Sequence, residues 1–129
     1  MAKNLKRDPI KHVRDRAKAK YEKGDECFIC GSTESLDFHH FHTLTPLFNK
    51  WLRANKISIN TDEDVLAVRD RFIAEHQAEL YAETVTLCHE HHLKLHSVYG
   101  KDPALSTADK QKRWVQIQKD KYGLNKVDC

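Results

Sequence analysis

The chain has no apolar run long enough to cross a bilayer, which excludes a helical membrane span. Lys3, Lys6 and Arg7 are followed by more charge and not by an apolar stretch, so no secretory leader is expected. The expected location is the cytosol. There is no internal repeat and no low-complexity segment, and 129 residues are expected to make a single domain with helical extensions. Cysteine is too scarce and too unevenly placed for a disulfide framework. There are four, Cys129 is the last residue, and the other three stand at metal-ligand spacing with histidines. Hydrophobic residues make up 40% and charged residues 32%, so the core is expected to be modest and a structural metal would help it fold.

Acids are sparse at both ends. Residues 1–23 carry nine Lys or Arg against three acids, and residues 101–129 carry seven against four. Residues 61–83 reverse the balance, with seven acids against Arg69 and Arg71. Basic ends around a metal-ligand cluster suggest a polyanion, nucleic acid first, although Lys-rich helices also solvate their own outer faces.

What the chain does have is the stretch Cys88-His89-Glu90-His91-His92-Leu93-Lys94-Leu95-His96. On a helix, Cys88 and His91 share one face, while His92 and His96 share another about 100° round the axis. One short helix can thus serve two metal sites. Cys27-Phe28-Ile29-Cys30 is a Cys-x-x-Cys knuckle, and Cys88 with His91 would complete the four-ligand shell that zinc prefers. Asp37-Phe38-His39-His40-Phe41-His42 brings adjacent histidines to the His92/His96 pair, an arrangement suited to a second, more open metal.

The remaining elements frame these sites. Asp8-Pro9 starts a helix expected to run through about Glu22 and stop at Gly24. A strand is expected over 36–41, and a helix beginning at Pro46 from Leu47 to about Asn55. A capping box at Thr61 and Asp64 opens a long helix to about Tyr81. Thr84 to Leu87 is a short strand leading into the ligand helix, which should end near Gly100. A last helix starts at Ser106 to Asp109 and ends at about Tyr122 before Gly123. Trp114 and Ile117 are expected to anchor it, with Val115 as a further candidate, leaving Lys110, Lys112, Arg113, Lys119 and Lys121 for solvent or phosphate.

A strand with paired histidines, a second strand, then a helix bearing His-x-x-x-His resembles the ββα-metal fold of the HNH endonuclease family. The Cys-x-x-Cys and Cys-x-x-His pairs are similar to its zinc-stapled branch, common among small phage-encoded and homing nucleases. The resemblance covers residues 25–42 and 83–100. It implies a ββα-metal core with structural zinc knuckles; the helical insert at 43–82 and the basic helical extensions at 8–23 and 106–123, read from the residues and not covered by the resemblance, complete an α+β fold. It further implies His39, His92 and His96 as ligands of one catalytic divalent cation (Mg²⁺, Mn²⁺, Ni²⁺ or Zn²⁺) and His40 as general base. Cys27, Cys30, Cys88 and His91 match the structural Zn²⁺ shell. The family's Asn falls at Glu83, a departure, since a carboxylate accepts hydrogen bonds but donates none. Either Glu83 orients the base differently, or another residue takes over, with Asn49, Asn55 and Asn60 as candidates. His42 and His89 are given supporting or phosphate-facing positions.

Two functions follow as expectations. The first is a metal-dependent endonuclease acting on double-stranded DNA, in the cytoplasm or that of a phage-infected host. It would leave a 5′-phosphate and a 3′-hydroxyl, and nick where one active site cuts one strand. The second is a non-catalytic zinc-dependent nucleic-acid-binding module. Glu83 favours the second and the intact His39-His40 pair the first.

Overall fold

The computed structural model of the chain describes residues 7–127. It is an α+β arrangement of five main helices and one two-stranded sheet. Helix α1 (Pro9–Lys18) starts as the sequence predicts, with Asp8 accepting from the Ile10 amide. It stops a full turn before Glu22. Tyr21 leaves the helical path to stack on Phe38 at 4.6 Å, with its edge toward Tyr81. A tertiary aromatic contact thus outweighs one more turn of helix.

Strand β1 (Leu36–His40) pairs antiparallel with β2 (Thr84–Cys88), and His39 lies opposite Val85. Between them runs the helical insert. Helix α2 (Leu44–Ala54) begins earlier than Pro46. The first-turn amides have no partner inside a helix, so proline fits there without loss. Helix α2 ends with Ile57 donating to Leu52 O and Lys56 to Arg53 O, a closure that puts Lys56 at φ +54°.

Helix α3 (Asp62–Glu75) carries the expected capping box, Thr61 Oγ1 accepting from Asp64 N and Asp64 Oδ2 from Thr61 N. It does not reach Tyr81. At His76 the backbone opens to φ −125°, the ring stacks on Phe72 at 4.2 Å, and the chain resumes as a wide π-helical turn over Ala78–Ala82. That turn buries Leu80 completely.

Strand β2 leads directly into α4 (His89–Tyr99), which Gly100 terminates at φ +89°. A short 3₁₀ turn, Leu105–Thr107, precedes α5 (Ala108–Val127). Helix α5 runs past Gly123, against which nothing packs, so no contact requires the chain to turn there. Its buried face is Ala108, Gln111 and Val115, with Trp114 partly buried against the same cluster; of the expected anchors it is Ile117, 42% exposed, that does not serve.

Two apolar clusters result. One gathers α1, α2, α3 and Leu80; the other gathers Cys27, Ile29, Phe41, Leu87, Leu95 and Val115. Among the described residues no helix is long and apolar enough to cross a membrane. Cys129 lies outside the described residues.

Candidate metal centres

The first cluster is built on a tight turn. Gly31, at φ +74°, lets its amide reach Cys27 O at 2.8 Å, and Phe28 N donates to Thr86 O at 2.9 Å, tying the turn to β2. This brings Cys27 and Cys30 against Cys88, the residue that caps α4, and against His91 one turn on. Their four ligand atoms all lie within 4.8 Å of one another. Cys88 Sγ is 3.2 Å and Cys27 Sγ 3.7 Å from His91 Nδ1, and Cys30 Sγ is 3.9 Å from Cys88 Sγ. Tetrahedral zinc with bonds of about 2.3 Å to sulfur would space sulfurs about 3.8 Å apart. The donor set fits a metal ion. Burial by itself would raise the Cys27 thiol, but backbone hydrogen bonds at Cys88, Cys30 and Ile29 outweigh it and hold the thiol below its ordinary pKa. Burial and the adjacent thiols push Cys30 up to about 11.

The second cluster is His39, His92 and His96. His39 comes from β1, and the other two lie one turn apart on α4. His39 Nδ1 is 3.1 Å and His96 Nε2 is 3.0 Å from His92 Nε2. Outer atoms of two rings face pure acceptors: His92 Nδ1 donates to Asp37 Oδ2 (3.0 Å) and His96 Nδ1 to Gly100 O (2.8 Å). With Nδ1 protonated, each Nε2 presents a lone pair to the centre. Converging lone pairs repel unless a positive charge lies between them. Metal–nitrogen bonds of about 2.0–2.1 Å would space such nitrogens about 2.9 Å apart at octahedral and about 3.3 Å at tetrahedral angles. The observed spacing falls in that range. Burial pushes His39 down to about 4 and lowers His92 as well, the latter against the pull of Asp37, which keeps the lone pairs free.

His40 points elsewhere in the same cleft, a space of about 470 Å³ lined also by Arg14, Lys18, Tyr21 and Lys101. His40 Nε2 donates to Leu80 O at 3.0 Å, and its ring sits 4.9 Å from that of Tyr21. Burial lowers His40 to about 4, the Leu80 carbonyl opposes the shift, and the charge of Arg14 adds to it.

A model of the phage T5 nicking endonuclease family matches residues 1–128. The chain belongs to that nicking endonuclease family. It is therefore a phage-type DNA endonuclease, and the binding-only alternative gives way. No solved structure matches it.

In this endonuclease Glu83 makes no hydrogen bond to His40. Its carboxylate takes His42 Nε2 at 2.8 Å and the Lys112 ammonium, and these partners hold it below the usual carboxylate range, Lys112 foremost. Glu83 is instead joined to the His40 segment by its backbone: Phe41 N donates to Glu83 O, and Glu83 N closes the π-helical turn on Ala78 O at 2.7 Å. That turn presents the Leu80 carbonyl to His40. The Asn55 side chain is engaged with Trp51 O at the end of α2, and Asn60 gives its backbone amide to Asp64 in the cap of α3. Lys112 is thus taken up by Glu83, and Lys119 lies 4.1 Å over the Phe28 ring; neither stands free as the sequence suggests. His89 shares Asp37 with His92 at 3.0 Å.

Asp37, Gln111 and the Leu80 carbonyl escaped the sequence reading. Alternation along β1 puts Asp37 on the face of His39, a signal that was available. Gln111 Oε1 lies 2.8 Å from His39 Nε2 across 72 residues of chain, and no local pattern announces it.

Proposed function

We propose that this endonuclease is of the HNH type, with a ββα-metal core formed by β1, β2 and α4, and that it nicks double-stranded DNA by metal-assisted hydrolysis. The observation that carries the reading is the convergence of His39, His92 and His96 beside His40 in a cleft whose lining includes Arg14, Lys18 and Lys101 as well as Asp15 and Asp102. His40 is the general base. With one ring nitrogen given to Leu80 O, the other is left to take a proton from the attacking water. Arg14 and Lys18 on α1, with Lys101 beyond α4, line the cleft and hold the phosphate backbone, contacts that position the strand without reading its sequence. A divalent cation on the three histidines (Mg²⁺, Mn²⁺, Ni²⁺ or Zn²⁺) would offer open positions to the phosphate and the leaving oxygen. Cys27, Cys30, Cys88 and His91 hold structural Zn²⁺. The products are a 5′-phosphate and a 3′-hydroxyl, formed in the cytoplasm of an infected host.

The test is supercoiled plasmid incubated with the zinc-loaded protein and each of the four cations, with EDTA as control. The expected result is conversion to the open circle only with added cation, with ends that ligase reseals. Cleavage unaffected by chelation, or ends bearing a 3′-phosphate, would overturn the metal-assisted reading.

Glu83 and Lys112 act in this proposal as positioning residues for His40, taking over by an ion pair what an asparagine amide would do. Glu83→Gln and Lys112→Met should each slow nicking with metal content unchanged. Their double-mutant cycle should show a coupling of about 0.5–3 kcal/mol, as for groups of one network. Additive effects would place the two residues in separate roles.

A further inference from the structure

The described contacts of Gln111 fix which nitrogen of His39 carries its proton. Gln111 is fully buried on α5, and its side chain has three polar neighbours. Nε2 lies 3.2 Å from Phe41 O and 2.9 Å from Thr107 Oγ1, while Oε1 lies 2.8 Å from His39 Nε2. A backbone carbonyl only accepts, so the NH₂ end must face Phe41. Thr107 spends its own proton on Ala104 O at 2.6 Å, so its oxygen accepts the second amide proton. The amide oxygen is then left for His39, and an oxygen with no proton can only accept. His39 must therefore be protonated at Nε2. Its Nδ1 lone pair is left facing His92 Nε2, 3.1 Å away.

We infer that Gln111 is a positioning residue for the three-histidine centre. It locks His39 in the Nδ1-ligating tautomer, so the last helix of the chain sets the affinity of a metal site to which it contributes no ligand. The inference rests on reading His39, His92 and His96 as a metal site. It completes the pattern in which each ligand imidazole gives its outer N–H to a fixed acceptor: Asp37 for His92, Gly100 O for His96 and Gln111 for His39. Of the three acceptors, Gln111 alone is itself held in orientation by a chain of hydrogen bonds ending on the Ala104 and Phe41 carbonyls.

The test uses the full chain with its zinc knuckle loaded, titrated with Co²⁺. Gln111→Met keeps the volume and loses the acceptor; Gln111→Glu keeps the acceptor and, as the neutral acid, a donor for Phe41 O. Positioning predicts that Met weakens Co²⁺ binding at the second site about 10–100-fold while Glu stays near wild type. A packing role predicts the reverse order, since Met fits an apolar site and a buried carboxylate does not. Thr107→Val, which frees the amide to turn over, should show a smaller loss and serves if Gln111→Met fails to fold. Nitrogen NMR of the metal-free second site should place the His39 proton on Nε2 in wild type and Gln111→Glu, and on both nitrogens in exchange in Gln111→Met. Wild type that binds one Co²⁺ with unaltered Met and Thr107→Val affinities overturns the inference alone. Wild type that takes up no second metal overturns both it and the reading on which it rests.

Discussion

His40→Ala should leave metal uptake, fold and DNA binding intact while the nicking rate falls by about 10²–10⁴, the usual cost of losing a general base. His92→Ala should lose the rate and the second metal together. Its Nε2 stands within hydrogen-bond distance of both other ligand nitrogens, so no pair of survivors encloses the same point. The two variants are thus alike in a plasmid assay and different in metal analysis. His89 is no substitute, because it lies 62% exposed on the far side of Asp37. Wild-type cleavage by His40→Ala would remove the base assignment. Loss of metal from that variant would make His40 a ligand.

Cys30→Ser should give a chain that fails to hold its native structure. The knuckle joins residues 27–30 to 88–91 across the whole insert, and Cys27 and Cys88 belong to the second apolar cluster themselves. Structural zinc contributes about 10–16 kcal/mol of apparent binding energy in small domains, as much as or more than the whole stability of a typical one. Strong chelators should produce the same state in wild type, seen as loss of near-ultraviolet circular dichroism and of cooperative thermal unfolding. A zinc-free Cys30→Ser protein with the wild-type melting temperature would show that the apolar cluster suffices without the ion.

The ligand sets were legible because they rest on local geometry. Spacings of three and four on a helix and adjacency on a strand are fixed by the backbone, so Cys88 with His91, and His92 with His96, could be paired before any fold was known. The starts of α1 and α3 were legible for the same reason, since Asp8, Thr61 and Asp64 bond within three residues, whereas α2, which has no side-chain cap, begins before the expected Pro46. Helix ends were less so. Where α1 stops depends on Tyr21 finding Phe38, and where α3 stops depends on how Leu80 is buried. The supports of the site were least legible. Helix α5 buries Ala108, Gln111 and Val115, a stripe with a polar residue in its middle, and hydrophobic periodicity does not see such a stripe. Lys112, next to it, reads as a solvent-facing cation until Glu83 is seen against it.

The two apolar clusters also set an order of events during synthesis. Every buried member of the first lies between Ile10 and Leu80, whereas the second draws on Cys27 at one end and Val115 at the other. The ribosome releases the chain in sequence order, so the helical unit has all its buried parts outside before the ligand helix has emerged. Domains generally fold as units from the N-terminus during translation. The knuckle cysteines therefore wait as free thiols on a partly folded chain until Cys88 and His91 arrive. On the metal-site reading proposed above, the cleft has one wall built early and its metal ligands delivered late, so nucleic acid near the ribosome is spared until the ligand helix has emerged. Ribosome-bound chains stalled once residue 85 but not residue 89 has cleared the exit tunnel should accordingly resist protease over 9–80 yet show no nicking; cleavage by such chains would refute that order.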